Sequence, residues 1–230
     1  MAKTKQNYYK LPWEERLKEE RACWNRGFTR VAGLDEAGRG PLAGPVVAAI
    51  FVITPDFVLE ELNDSKQLTP KQREICYRYL TSGRWEYGVG LVEAAEIDRI
   101  NIYQASRQAM LRALQTLASP PDYLLVDALT VPATAIPQNG LIHGDALSVA
   151  IAAASVIAKY ARDQLMIEYD RLYPGYGFAR HKGYPTVQHY EALARLGPCA
   201  LHRKSFRLQK EVAAASLELF ESQESQGTVP

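Results

Sequence analysis

A chain of 230 residues with 27 basic and 26 acidic side chains carries a formal charge of +1, so it is neither polybasic nor polyacidic overall. At 47% apolar residues it supports a sizeable core, and the length fits one large domain or one domain with a small appendage. Three cysteines (Cys23, Cys76, Cys199) lie far apart and form no CxxC or Cys/His pair of zinc spacing, which predicts free thiols in a reducing cytosol.

The start of the chain, Lys3 to Lys10, is polar and lacks an apolar secretory segment. A helix is expected over Pro12 to Arg26, with proline near its first turn and Gly27 just past its end. Strands are expected over Thr29 to Asp35 and Val46 to Ile53, joined by a glycine-rich turn, with Pro55 closing the second. Thr69-Pro70 starts a helix as a hydroxyl N-cap followed by proline. Arg84 to Val92 alternates as a strand, and Ile102 to Leu117 repeats apolar residues at helical spacing. Tyr123 to Val126 reads as a short buried strand ending at Asp127. A long helix is expected over Ala146 to Tyr169, its alanine run Ala152-Ala153-Ala154 packed closely on the sheet, and another over Thr186 to Leu196. The apolar stretch Val149 to Ala158 is too short to span a bilayer, so a soluble, cytoplasmic protein is expected. Residues 221–230 are polar and expected to fray. This order predicts an α/β fold: a mixed sheet with helices packed on it and a helical C-terminal part.

The run Leu34-Asp35-Glu36-Ala37-Gly38-Arg39-Gly40-Pro41-Leu42-Ala43-Gly44-Pro45 puts two carboxylates before a glycine-rich basic turn. Carboxylates hold hard cations such as Mg²⁺, and such a cation in turn holds phosphate oxygens. Glycines let backbone N–H groups approach a polyanion. Asp127, at a strand end, and Asp145, before the long helix, can join this pair; unneutralised, such a cluster repels itself and calls for a cation. Taken alone, Asp145 reads more readily as a helix N-cap, and Asp127 could be a plain loop residue. Neighbours on a strand point to opposite faces. Asp35 and Glu36 can then share a metal only if the strand breaks, which Gly38 would permit, or if Glu36 acts through its carbonyl. Asp163 lies 18 residues beyond Asp145, roughly 27 Å along a continuous helix at about 1.5 Å per residue. It is therefore assigned to a structural ion pair or to the substrate rim. Arg171 to Lys210 holds eight Lys/Arg against the single acid Glu191, and three of the four histidines. Either a polyanion-facing surface or an ordinary solvated helix face accounts for that bias.

Taken together, the motifs resemble ribonuclease HII, the bacterial type 2 ribonuclease H. They are Gly33 to Val46, Asp64-Ser65-Lys66-Gln67-Leu68, Asn101-Ile102 with Gln104-Ala105-Ser106, Val126-Asp127, Gly144-Asp145, Ile151 to Lys159 with Arg162-Asp163, and Gly177-Phe178 with His181-Lys182-Gly183-Tyr184-Pro185-Thr186. They stand in family order over roughly residues 28 to 207, and the ordered set is far more specific than any one piece. The resemblance implies a ribonuclease H-like mixed sheet flanked by helices. It also implies cleavage of RNA in RNA–DNA hybrids and nicking 5′ to single ribonucleotides embedded in duplex DNA, leaving 3′-OH and 5′-phosphate. It further implies a divalent metal, Mg²⁺ or Mn²⁺, as two ions on Asp35, Glu36, Asp127 and Asp145. Gly38, Arg39 and Gly40 resemble the turn that contacts the ribose 2′-OH and neighbouring phosphates. Tyr184 resembles the tyrosine that packs under the junction sugar, and Lys66 a phosphate-contacting lysine. His143 departs from the pattern, where a lysine is common, and the first 28 residues with Trp13 and Trp24 are longer than many members carry.

The expected organisation is an N-terminal helical extension (1–28), a catalytic core (29–170), a basic helical substrate-binding segment (171–210) and a tail (211–230). The extension is read as a packing element in preference to a substrate arm. Nothing in the chain requires an oligomer, so a monomer is expected. Two rivals remain at this stage. One is a non-catalytic hybrid-binding module of the same fold, against which the intact acid set argues. The other is a nucleotide-dependent phosphotransferase, which the absence of a GxxxxGK[ST] run disfavours.

Overall fold

The computed structural model describes residues 11–206. Residues 1–10 and 207–230 lie outside it, and with them the tail expected over 211–230 and its frayed end. The second strand, β2 (Val46–Ile53), is buried at all eight positions, as a central strand covered on both faces must be. It pairs antiparallel with β1 (Val31–Ala37) on one side and with β3 (Tyr87–Val92) on the other. β4 (Tyr123–Asp127) adds parallel to β1, and β5 (Gln138–Leu141) parallel to β4, giving the mixed order β3-β2-β1-β4-β5. The expected mixed α/β sheet is therefore present. The edge strand β5 had no sequence signal: Gln138-Asn139-Gly140-Leu141 has low β propensity and no alternation.

Side-chain alternation divides the core into two layers. Val31, Ala49, Phe51, Ile53 and Leu125 face the long helix α7 (Val149–Leu172) and α3 (Pro70–Leu80). Ala32, Leu34, Ala48, Ile50, Leu124 and Val126 face α5 (Ile102–Gln115), which follows α4 (Ala94–Ile100). Gly33 is the point of closest approach between α7 and β1. A Cβ there would lie 2.1 Å from the Ala150 carbonyl carbon, so only glycine lets the first turn of α7 sit on the strand. The N-cap expected at Thr69 forms, and the structure adds a reciprocal capping box with Gln72.

The single expected N-terminal helix is two, α1 (Trp13–Arg16) and α2 (Lys18–Asn25), and Pro12 is the N-cap of α1. Trp13 and Trp24 pack against the core layer under α7, as a packing element should. The long helix begins three residues later than expected. Asp145 lies inside a separate short turn, α6 (Gly144–Leu147), and the N-cap of α7 is Ser148, extended at φ −130° and accepting a hydrogen bond from the Ile151 amide. The N-cap reading of Asp145 is thereby corrected: a hydroxyl three residues on takes that role and leaves the carboxylate free for other work. Short α8 (Phe178–His181) and α9 (Val187–Leu196, capped by Thr186) form a third cluster with Leu42, Ala43 and Met166. Among the described residues no helix is long and apolar enough to cross a membrane.

Candidate active site

β1 carries Asp35 and Glu36 to the end of the sheet where its parallel neighbour β4 delivers Asp127. Strand pairing continues unbroken through both acids, Asp35 opposite Ala49 and Glu36 opposite Ala48, so the break at Gly38 that the sequence left open does not occur within the pair. Both side chains nonetheless feel Asp127. Burial, then the charges of Glu36, Asp127 and Asp145, hold the Asp35 carboxyl well above the ordinary range. Burial also raises Glu36, against the Arg39 guanidinium 3.1 Å away and with the Asp127 charge. Asp127 is raised by burial and by Asp145, and is opposed by the Gly144 amide, which donates to its Oδ1 at 2.8 Å. That amide begins α6, so the short turn that separates Asp145 from α7 also ties Asp145 to Asp127.

The loop after α3's predecessor strand adds two groups. Lys66 Nζ stands 3.2 Å from Asp145 Oδ2 and 3.9 Å from Asp64 Oδ1, with its side chain 72% exposed. Asp64, fully buried, is raised by burial and further by the Asp145 charge. It was legible only as one letter of a motif, because nothing local shows that residue 64 meets residue 145. Among the described residues no three His, Cys, Asp or Glu side chains are close enough together to hold one ion in this arrangement. The donor set still suits a hard divalent cation. It is all oxygen, the charges of Glu36, Asp127 and Asp145 add to burial in raising the Asp35 carboxyl, and Glu36 Oε2 and Asp64 Oδ2 are buried without a hydrogen-bond partner. Asp163 lies apart in an ion pair with Lys159 (2.6 Å) and Arg73 (3.9 Å), which agrees with its structural assignment.

Beside the acids runs the loop Gly38-Arg39-Gly40. Gly38 has φ +97°, and a Cβ there would strike Arg162 Nε at 2.1 Å. Two buried arginines to which the sequence reading gave no role hold the loop and the backbone beyond it. Arg162 donates to the Pro45 and Ala43 carbonyls (3.0 and 3.2 Å). Arg203 donates to Gly38 (2.6 Å), Arg39 (3.0 Å) and Gly44 (2.9 and 2.8 Å). Satisfying carbonyls from beneath leaves the loop's other face available to a ligand. The half-exposed Tyr184 ring stands over Gly40, with Lys159 and Arg162 within 6 Å of its centroid (5.8 and 5.7 Å).

The basic C-terminal segment divides. Arg171, Arg180, Arg195 and Lys204 are exposed, but Arg203 and the three histidines are buried. The expectation that all these groups belong to one charged surface is corrected, because the histidines form a chain under Tyr184. The Cys199 amide donates to His202 Nδ1 (2.9 Å), which leaves the neutral ring's Nε2–H to donate to His189 Nε2 (3.1 Å). His189 Nδ1–H then donates to the Tyr184 carbonyl (3.0 Å), while His181, stacked on His189 at 4.4 Å, donates to Tyr176. Burial pushes His189 down to about 4. Below pH ~6.5 an unfolded histidine takes a proton that the folded ring refuses, so stability is full above that pH and falls toward pH 4, by up to ~3 kcal/mol. Denaturant titrations at pH 7, 5.5 and 4.5 are expected to show this decline, shallower in His189→Gln; equal slopes would remove the neutral relay.

A mixed sheet with acids gathered at one end beside a cation-braced glycine loop defines a nuclease of the ribonuclease H class. The sequence profile of the family Ribonuclease HII matches residues 32–209. The chain is 53% identical over 207 residues to "Ribonuclease HII" of Geobacillus kaustophilus, covering 90% of this chain and 79% of that one. It is 51% identical over 195 residues to that of Moorella thermoacetica, covering 85% and 92%. The crystal structure of ribonuclease H2 from Pyrococcus horikoshii superposes with a TM-score of 0.67 at 27% identity, over 81% of this chain and 98% of that one. The chain belongs to the ribonuclease HII family, whose members depend on a divalent metal: it is a ribonuclease H enzyme, an endonuclease acting on RNA–DNA hybrids.

Proposed function

We propose that this enzyme nicks duplex DNA on the 5′ side of a single embedded ribonucleotide as well as cutting longer hybrids. The observation that carries this reading is the juxtaposition of the acid cluster, the braced Gly38-Arg39-Gly40 loop and the Tyr184 ring over Gly40. Asp35, Glu36, Asp127 and Asp145 would hold two Mg²⁺ or Mn²⁺ ions, Glu36 through its carboxylate or its carbonyl. When bound, the metal offsets phosphate charge and acidifies a water for in-line attack, giving 3′-OH and 5′-phosphate.

The chain's own groups do the rest. The loop's backbone tests for the 2′-OH, which both donates and accepts, and few side chains crowd it there. The Gly38 and Arg39 carbonyls are already committed to Arg203, and Arg162 holds the backbone just beyond at Ala43 and Pro45, so the loop resists shifting to suit a deoxyribose. Tyr184 offers a flat face to the sugar, and Arg39, paired with Glu36 at 3.1 Å, remains 44% exposed and so accessible to a phosphate. Lys66, paired with Asp145 at 3.2 Å and 72% exposed, keeps further N–H donors with which to contact a phosphate. Arg171, Arg180, Arg195 and Lys204 supply exposed positive charge for the flanking duplex, which makes binding salt-dependent.

The test is cleavage of a labelled duplex carrying one ribonucleotide, with and without Mg²⁺, beside an all-DNA control. Nicking only with metal and only at the ribonucleotide is expected; cutting of the control would remove the 2′-OH sensor. Tyr184→Phe is expected to lower kcat/KM by less than ~3-fold and Tyr184→Ala by ~10-fold or more, since one aromatic platform contributes about 1–3 kcal/mol. Equal losses would shift the role from the ring to the hydroxyl. Binding without any metal-dependent turnover would instead support a non-catalytic hybrid-binding module.

A further inference from the structure

The N-terminal helices carry two buried charged side chains for which the site described above has no use. Glu20 of α2 is fully buried 128 residues away in sequence from its partner Ser148. Its Oε1 accepts from the Ser148 hydroxyl (2.6 Å) and from the Ala150 amide (2.9 Å). Ser148 is itself the N-cap of α7, so Glu20 completes the cap and places a carboxylate at the positive end of the longest helix. Arg16, the last residue of α1, is also buried and donates through Nη1 to the Leu62 carbonyl. The two side chains lie four residues apart and attract each other. Burying a carboxylate and a guanidinium is costly, and Glu20 Oε2, Arg16 Nε and Arg16 Nη2 have no hydrogen-bond partner. An ordinary packing element would use apolar residues at both positions.

What the two side chains hold explains their use. Ser148 follows Asp145 by three residues, and Leu62 precedes Asp64 and Lys66 by two and four. Lys66 and Asp145 then meet at 3.2 Å, closing a ring from α1–α2 through both segments and back. Ala150, which Glu20 also holds, is the residue that touches Gly33, two positions before Asp35. The same two side chains therefore fix the origins of three of the acids and of the lysine.

We propose that the N-terminal helix pair is a positioning clamp for the metal-binding carboxylates, acting through Arg16 and Glu20. The inference rests on the metal role given to Asp145 and Asp35 above. Burial pushes the Glu20 carboxyl up to about 7, so its neutral form is populated near neutrality and glutamine is a fair mimic.

The experiment compares Glu20→Ala, Glu20→Gln and Arg16→Met with wild type in the full-length enzyme. Mn²⁺ affinity is measured by calorimetric titration without substrate, and kcat and KM on an RNA–DNA hybrid below each variant's melting temperature. Outer partners of metal ligands change affinity or activity by about 10–100-fold when removed. Glu20→Ala and Arg16→Met are each expected to weaken Mn²⁺ binding and kcat by ~10-fold with hybrid KM little changed, and Glu20→Gln to restore most of both. A lower melting temperature with wild-type Mn²⁺ affinity and kcat would reduce the helices to packing and overturn the clamp. If Glu20→Ala does not fold, Glu20→Gln and Arg16→Met still decide: wild-type values in Arg16→Met overturn it. Failure of the wild type itself to bind Mn²⁺ or to cleave would overturn the metal reading instead, so the two failures are distinguishable.

Discussion

Asp35→Asn is expected to lower hybrid cleavage by at least ~10³-fold while raising the melting temperature of the enzyme in EDTA. The first effect follows if Asp35 is a metal ligand: losing ~4 kcal/mol of transition-state stabilisation is a thousandfold in rate. The second follows from electrostatics alone. Asp35 is 5% exposed, and the neighbouring charges of Glu36, Asp127 and Asp145 add to burial in raising its carboxyl. A group whose acid form is favoured on folding costs stability when the pH would ionise it, so without metal the wild type carries a penalty at pH 7 that asparagine removes. The sign gives a control. As the pH falls toward the unfolded carboxyl's pKa of about 3.9, the unfolded state also takes up the proton, and the difference between the two proteins narrows. Thermal melts at pH 7 and pH 4.5 with chelator, beside single-turnover cleavage with metal, read both effects. Near-normal turnover would remove Asp35 from the metal site; a lower melting temperature at pH 7 would contradict the repulsion. Asp127→Asn is expected to behave the same way with a smaller gain in stability, since Asp127 is less buried and already accepts from the Gly144 amide.

Arg203→Met is expected to cost ~3–5 kcal/mol of stability, and Arg203→Lys nearly as much. Removing the guanidinium leaves the Gly38, Arg39 and Gly44 carbonyls without the charged donor that serves them all, at ~1–3 kcal/mol per buried group left unpaired. An ammonium is a compact point charge and cannot span three carbonyls in the plane of a guanidinium. Burial, with Arg162 close by, pushes Arg203 down to about 9, so it remains charged at neutral pH. Urea midpoints would read the stability loss. Cleavage below the melting point is expected to drop further for the single-ribonucleotide substrate than for a long hybrid, because one 2′-OH must be found by one loop. A stability loss under ~1 kcal/mol would mean that the loop keeps its shape without the strut.

Both predictions depend on contacts that no local pattern announces. Arg203 lies 165 residues from Gly38, and in the chain it stands between His202 and Lys204 as one more member of a basic segment. The histidines of that segment looked like part of a charged surface for the same reason. Only packing against Phe178 and Tyr184 makes His189 and His202 a neutral relay. Ser148 and Asp145 are both short polar residues before a helical run, so propensity alone could not choose the cap. The choice was made by Glu20, which anchors the serine from 128 residues away.

By itself, the sequence determined the elements whose signals are short in range. These are the unbroken apolar run of β2, the alternation of β3, the hydroxyl N-cap and proline at Thr69-Pro70, the apolar periodicity of α5 and the glycine loop with its two acids. It also carried the family, because ordered motifs need no geometry to be read. The tertiary structure alone decided which charges became solvent-facing and which became struts, because burial depends on what the rest of the chain lays over a residue. It brought Asp64 and Lys66 to Asp145, set Arg162 and Arg203 under the loop, and turned an N-terminal helix pair into a brace for both. Such pairings cost desolvation that only a complete surrounding network can offset, so they exist in the folded chain and have no counterpart in any one segment of it.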